Sequence, residues 1–304
     1  MLYDDDDHRP ARSRRLRTSP GVITAAALVP ACLAGWLVWH AVGPDDSTST
    51  KPPAPVSQSP GGAAHSQDDK PGGGAPAGHR SIAGKVVVLD PGHNPNNYRH
   101  PTEINRPVNI GNGTTECDTT GTSTNSGYAE ARFTLDVAHR ARTLLEKQGV
   151  KVRLTQNDDH SFGPCVPERA AAGNKAKADA AVSVHADGSS VGHRGFHVIL
   201  PALLKAGAAN TTDIVAPSRG LGTRIEKKFA RDTGTAPSNY IGNGTGLDTR
   251  SDLGGLNLST VPKVFIECGN MRDPKDAALL TSRSWRQKAA QGIADGISSF
   301  LHAE

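Results

Sequence analysis

His93, Glu130, His185 and Glu267 are the side chains around which chemistry could be built. Two imidazoles and a carboxylate suit a catalytic zinc ion, which takes three protein ligands and keeps a fourth position open for water. Glu267 could accept a proton from the attacking water and hand it to a leaving amine. No two of the four form a short motif such as a helical His-x-x-x-His, so only the fold can bring them together. The C-terminal part of the chain holds eight histidines, at 93, 100, 139, 160, 185, 193, 197 and 302, and some must fall at strand ends by chance. His193 and His197 are the chief competing ligands. They straddle a strand start and would point in different directions, so they read as surface and sheet-face polar residues.

The elements that must position these groups are legible in the pattern. KVVVLD (85–90) is a short β-branched run followed by Pro-Gly, a buried strand ending in the loop that carries His93. Residues 94–127 are rich in Asn, Gly, Thr and Pro without apolar periodicity, which predicts a long ordered loop or flap. Glu130, Phe133, Val137, Ala141 and Leu144 recur at intervals of three and four, so 128–148 should be an amphipathic helix ended by Gly149. Glu130 then sits on the inward stripe, where an unpaired carboxylate is rare.

Further strands are expected at 150–155, 180–185, 195–200 and 263–267, with His185 and Glu267 at the ends of the second and last of these. Helices are expected at 166–178, 219–231, 275–282 and 284–301, and loops at 201–217 and 233–262. Alternating strands and helices predict a single α/β domain over 81–304, with a mainly parallel sheet flanked by helices. His93, His185 and Glu267 all fall at the C-terminal strand edge, where open α/β sheets bind ligands.

Four ordered blocks carry a family resemblance: VVVLDPGHNP around His93, GYAEARFTLDVAHRA around Glu130, SVHADG around His185 and VFIECGNM around Glu267. Together they resemble the signature blocks of the zinc-dependent N-acetylmuramoyl-L-alanine amidases of the amidase-3 type, over residues 84–302. The resemblance implies a six-stranded α/β domain holding one Zn2+ ion. It also implies hydrolysis of the amide between the lactyl group of N-acetylmuramic acid and L-alanine in peptidoglycan or its muropeptide fragments. Carried over block by block, His93, Glu130 and His185 would bind the metal and Glu267 would be the catalytic carboxylate. Asp90 and Asn270 flank the blocks and could orient ligands or substrate, although Asp90 could equally cap the loop after its strand. A zinc peptidase cutting elsewhere in the stem peptide and a non-catalytic wall-binding module are the alternatives. Residues 186–262 show no obvious long autoinhibitory helix, and no repeat or appended wall-binding module is seen.

The 304-residue chain contains 33 glycines and 21 prolines, too many for a pure helical bundle. Its 34 basic and 30 acidic residues leave a formal charge of +4, with no dense basic patch interleaved with aromatics, which argues against nucleic acid as a partner. Residues 1–20 form a basic head. Residues 21–43 have no Asp, Glu, Lys or Arg, and at ~1.5 Å per residue they reach roughly 34 Å, enough to cross a bilayer core. The head should stay inside and the rest be exported to face the cell wall. The segment reads as an uncleaved anchor or as a signal cut near Gly43, its length favouring the anchor. Residues 44–80, rich in Pro and Gly, read as a disordered tether. A monomer is expected. On the exported side, Cys268 reads as a core thiol, while Cys117 and Cys165 lie in loops and are expected to pair.

Overall fold

The computed structural model describes residues 81–304. The head, the membrane segment and the tether read from residues 1–80 lie outside the described residues. Among the described residues, no helix is long and apolar enough to cross a membrane.

In chain order, β1 (Val86–Pro91) leads into α1 (Pro101–Ile104) and a hairpin of β2 (Pro107–Asn109) and β3 (Thr114–Glu116). Then come α2 (Glu130–Glu146), β4 (Lys151–Leu154), α3 (Val166–Ala176) and β5 (Ala180–Asp187). β6 (His197–Pro201), a small hairpin of β7 (Lys205–Ala206) and β8 (Ala209–Asn210), and α4 (Val215–Thr233) follow. The domain closes with β9 (Leu247–Arg250), α5 (Gly254–Asn257), β10 (Lys263–Asn270), α6 (Pro274–Thr281) and α7 (Arg283–Leu301).

Six strands make one mixed sheet in the order β4, β1, β5, β10, β6, β9. All neighbours run parallel except β10 and β6. The reversal follows from chain length: only residues 188–196 separate β5 from β6, whereas a parallel crossover needs a dozen or more. The loops expected at 94–127, 201–217 and 233–262 contain more structure than their composition suggests. The first holds α1 and the β2–β3 hairpin, the second holds β7 and β8, and the third holds α5 and the sixth sheet strand, β9. α4, the long helix within 186–262, packs its buried Leu221, Ile225 and Phe229 into the main core.

Register decides which side chains share a face, because alternate residues of a strand point oppositely. Leu89, Val182 and Val264 are neighbours across three strands, as are Val184, Ile266 and Val198. This face is covered by Phe133, Val137 and Leu145 of α2, by α4, and by Trp285, Ile293 and Ile297 of α7, all in one apolar cluster. At ~1.5–3 kcal/mol per buried large apolar side chain, most of the stabilising burial lies here. α4 and α7 approach closely, since a Cβ at Gly292 or Gly296 would meet the Phe229 or Ile225 backbone at 2.7 and 2.5 Å.

The opposite face takes the intervening residues. Asp90 pairs with Ser183, Phe265 with Ser183 and Ile199, and Glu267 with His185 and His197. Its apolar packing is a small cluster around Val88, Ala178, Ala181 and Val261.

Candidate metal centre

β1 ends at Pro91, and the chain turns through Gly92 into His93, whose φ of 61° is left-handed. A non-glycine residue held there costs free energy and persists only where its surroundings fix it. Thr134 of α2 donates to the Gly92 carbonyl at 2.8 Å, while Arg169 of α3 and Gln156 donate to the His93 carbonyl at 3.0 and 3.2 Å. The turn is thus clamped from two helices and a loop.

Glu130 opens α2, as its place on the apolar stripe demands, and is buried. Its Oε2 lies 3.2 Å from His93 Nε2 and accepts from the Thr122 amide at 2.9 Å. Its Oε1 lies 2.9 Å from His185 Nδ1 and accepts from the Ala186 amide at 3.2 Å. One ligand atom from each of His93, Glu130 and His185 falls within 4.8 Å of the others. His93 Nδ1 faces the Thr119 carbonyl at 3.1 Å and Asp118 Oδ1 at 3.3 Å, an arrangement that directs Nε2 into the cluster. The His185 ring stacks on Phe265, centroids 5.3 Å apart.

The electrostatics match the geometry. Burial opposes a charge on His93, but the Glu130 and Asp118 carboxylates outweigh it and push the imidazole up to about 10. Burial would likewise raise Glu130, yet His93 and His185 hold it well below the usual carboxylate range. The carboxylates thus favour positive charge at the cluster, as a site for a metal cation requires.

Glu267 lies on β10, in register with His185, and its Oε2 is buried without a hydrogen-bond partner among the described residues. Burial first, then the nearby Glu130 and Asp187 charges, push this carboxyl well above its ordinary range. An unpartnered carboxyl beside two histidines and a carboxylate is a group with proton-accepting capacity to spare. The donor set therefore fits a zinc ion.

Beneath the cluster lies a buried charge network. Asp90 accepts from Arg169 Nη1, Thr155, Ser183 and Lys263 Nζ at 2.9, 2.6, 2.6 and 3.2 Å. Burial opposes its charge, but Lys263 and Arg169 hold it far below the usual carboxylate range. Arg169 Nη2 also donates to Asp118 Oδ2 at 2.8 Å. Outside the cluster itself, Asp118 is a carboxylate that faces a candidate ligand, while Asp90 stands one step removed, through Arg169. Asn270 braces a neighbouring loop, donating to the carbonyls of Ser189, Ser190 and His193 at 3.2, 3.0 and 2.8 Å.

His193 and His197 stand outside the cluster: His193 stacks on Tyr240 with centroids 4.6 Å apart, and His197 is buried on the sheet. Cys117 and Cys165 form the expected disulfide, tying the segment before Asp118 to the start of α3, and Cys268 is a buried free thiol. The loop from Asp118 to Thr122 closes over the candidate ligands. A Cβ at Gly121, where φ is +70°, would meet His93 Cδ2 at 2.6 Å and Glu130 Oε2 at 2.7 Å; one at Gly92 would overlap the His185 ring.

Pattern reading missed Asp118, Arg169, Lys263 and the Thr122 amide. Arg169 left a signal, since it shares the buried stripe of α3 with Ala170 and Gly173. A charge on such a stripe is the same anomaly that singles out Glu130.

The cluster opens into a cleft of about 490 Å³ bounded by Thr122, Asp187, Ile199, Arg250 and Glu267 among others. A narrower recess of about 170 Å³, walled by Thr115, Val166, Leu253 and Phe265, adjoins it.

Residues 87–299 match the family model described as N-acetylmuramoyl-L-alanine amidase. The amidase Rv3717 of Mycobacterium tuberculosis is 42% identical over 222 residues, spanning 73% of this chain and 88% of that protein. Similar solved structures include two N-acetylmuramyl-L-alanine amidases named Ami1. That from Mycobacterium smegmatis has a TM-score of 0.67 and 42% identity, covering 74% of this chain and all of that one. That from Mycobacterium abscessus has a TM-score of 0.66 and 40% identity, covering 72% and 100%.

Proposed function

We infer the reaction from the premise that this chain belongs to the amidase-3 family of N-acetylmuramoyl-L-alanine amidases. The protein is a peptidoglycan hydrolase that cleaves the amide between N-acetylmuramic acid and the L-alanine of the stem peptide. The finer reading is that His93, Glu130 and His185 hold one zinc ion and that Glu267 is the catalytic carboxylate. The observation that carries it is the convergence of three ligand atoms within 4.8 Å beside the unpartnered Oε2 of Glu267.

When bound, zinc supplies a Lewis acid that polarises the scissile carbonyl and acidifies the attacking water. Glu267 takes the proton from that water and delivers it to the departing L-alanine nitrogen, which leaves as an amine. Burial and the Glu130 and Asp187 charges make Glu267 a stronger base than an ordinary carboxylate. Asp118 and the Thr119 carbonyl fix the orientation of His93, while the Thr122 and Ala186 amides do the same for Glu130. Residues 21–43 deliver the enzyme to the outer side of the membrane, either as an anchor with residues 44–80 as its tether or as a cleaved signal, and the active protein is a monomer.

The test is mass spectrometry of defined muropeptides incubated with the full-length protein, with zinc and with a chelator. Zinc-restored release of intact stem peptide bearing a free L-alanine amine is expected. Undiminished cleavage by a protein shown to contain no metal would sink the zinc assignment, and cleavage within the peptide would point to a peptidase.

A further inference from the structure

The cleft is lined by three carboxylates, Glu130, Asp187 and Glu267, and Arg250 is the one Lys or Arg among its lining residues. The adjoining recess is lined by another arginine, Arg169, but that guanidinium is saturated by Asp90, Asp118 and the carbonyls of Pro91, His93 and Pro164. Arg250 is differently held. Its Nε and Nη2 reach Asp252 at 2.9 and 2.5 Å, while Nη1 has no hydrogen-bond partner among the described residues. Arg250 and Asp252 are 41% and 62% exposed, and with Nε and Nη2 turned to Asp252 the edge of the guanidinium that carries Nη1 is left for a second acceptor.

Resting on the amidase reading, we propose that Arg250 is the carboxylate-binding residue of the cleft and takes a carboxylate of the stem peptide beyond the scissile L-alanine. A planar guanidinium recognises carboxylates through directed, charge-assisted hydrogen bonds. Among the lining side chains, Arg250 is the one Lys or Arg that an anionic peptide would meet on entering the cleft. β9 is two strands from β10, and Arg250 pairs with Pro201 of β6, four residues on from His197, the partner of Glu267, so Arg250 lines the cleft away from the scissile bond rather than at it. Asp252 keeps the arginine pointed without saturating it.

The experiment compares zinc-loaded full-length protein on two forms of one N-acetylmuramoyl tripeptide, with the carboxylates of stem residues two and three either free or amidated. The wild type is expected to lose about tenfold in kcat/KM on amidation, mainly through KM. Arg250→Gln is expected to cleave both forms equally, with its loss confined to the free acid, and Arg250→Lys to restore part of the preference. Asp252→Asn, which removes the competing negative charge, should keep the preference or enlarge it. An Arg250→Gln enzyme that keeps the wild-type preference overturns the assignment. So does an equal loss of activity on both forms in Arg250→Gln and Asp252→Asn alike, because the pair would then serve only to hold its turn. Wild-type cleavage with no preference also overturns it and leaves the amidase reading standing, whereas no cleavage of either form overturns both.

Discussion

Alternate residues of the same strands build two unlike surfaces. On one face of the sheet, Leu89, Val182, Val264 and Ile266 disappear beneath α2, α4 and α7. On the other, Asp90, Ser183, His185, Lys263 and Glu267 meet short elements, a loop and a cleft. The first face needs only shape and apolar surface. The second concentrates groups whose burial costs free energy, and each is offset by a partner: Asp90 by Arg169 and Lys263, Asp118 by Arg169, Glu130 by two histidines. Glu267 has no such partner for its Oε2. Stability and chemistry are therefore separated by one residue along a strand.

Substitutions that act on one face alone break or sharpen this separation. Glu267→Gln should lower the rate of muropeptide hydrolysis by about 10²–10⁴ while zinc content and melting temperature hold. His93→Ala should lose both metal and activity, read by metal analysis beside the same assay. Conversely, Phe229→Ala on the packed side should cost about 3–5 kcal/mol in denaturant unfolding, with kcat/KM of the folded enzyme unchanged. A Phe229 variant with normal stability and damaged zinc binding would contradict the division.

Asp118→Asn probes the junction between network and ligands. Zinc affinity should fall about 10- to 100-fold in competition with a chelator, with circular dichroism unchanged. The smallest effect is on acid stability. Burial opposes charge on Asp118, but Arg169 and His93 hold its carboxyl down from 3.8 to about 2, so the folded chain gains stability above pH 4. That contribution, about 2 kcal/mol, should fade as the pH drops through 2 in the metal-free protein and be missing from Asp118→Asn.

The division also explains what could be read in advance. Buried strands such as VVVLDP and KVFIE carry their own signal because both neighbours and one helical layer demand β-branched or aromatic side chains. The sixth strand, Leu247-Asp-Thr-Arg, is a four-residue edge with no buried position, so nothing in its composition marks it. Helix α4 begins at Val215, four residues ahead of its expected start, because Pro217 sits in its first turn, where a missing amide costs little. The four candidate residues stood out through their odd placement on strands and on an apolar helical stripe. Asp118 was not, since it comes from a loop without periodicity and owes its place to a disulfide and to an arginine far along the chain.

Gly92 and Gly121 contribute no ligand atom, yet the chain passes so near the imidazoles and Glu130 that a single methyl group at either position would collide with them. In a saturation library selected for hydrolysis, these two positions should be as intolerant as the histidines themselves. The mutational footprint of the centre is thus larger than its chemistry, and part of it is written in residues valued for having nothing to offer.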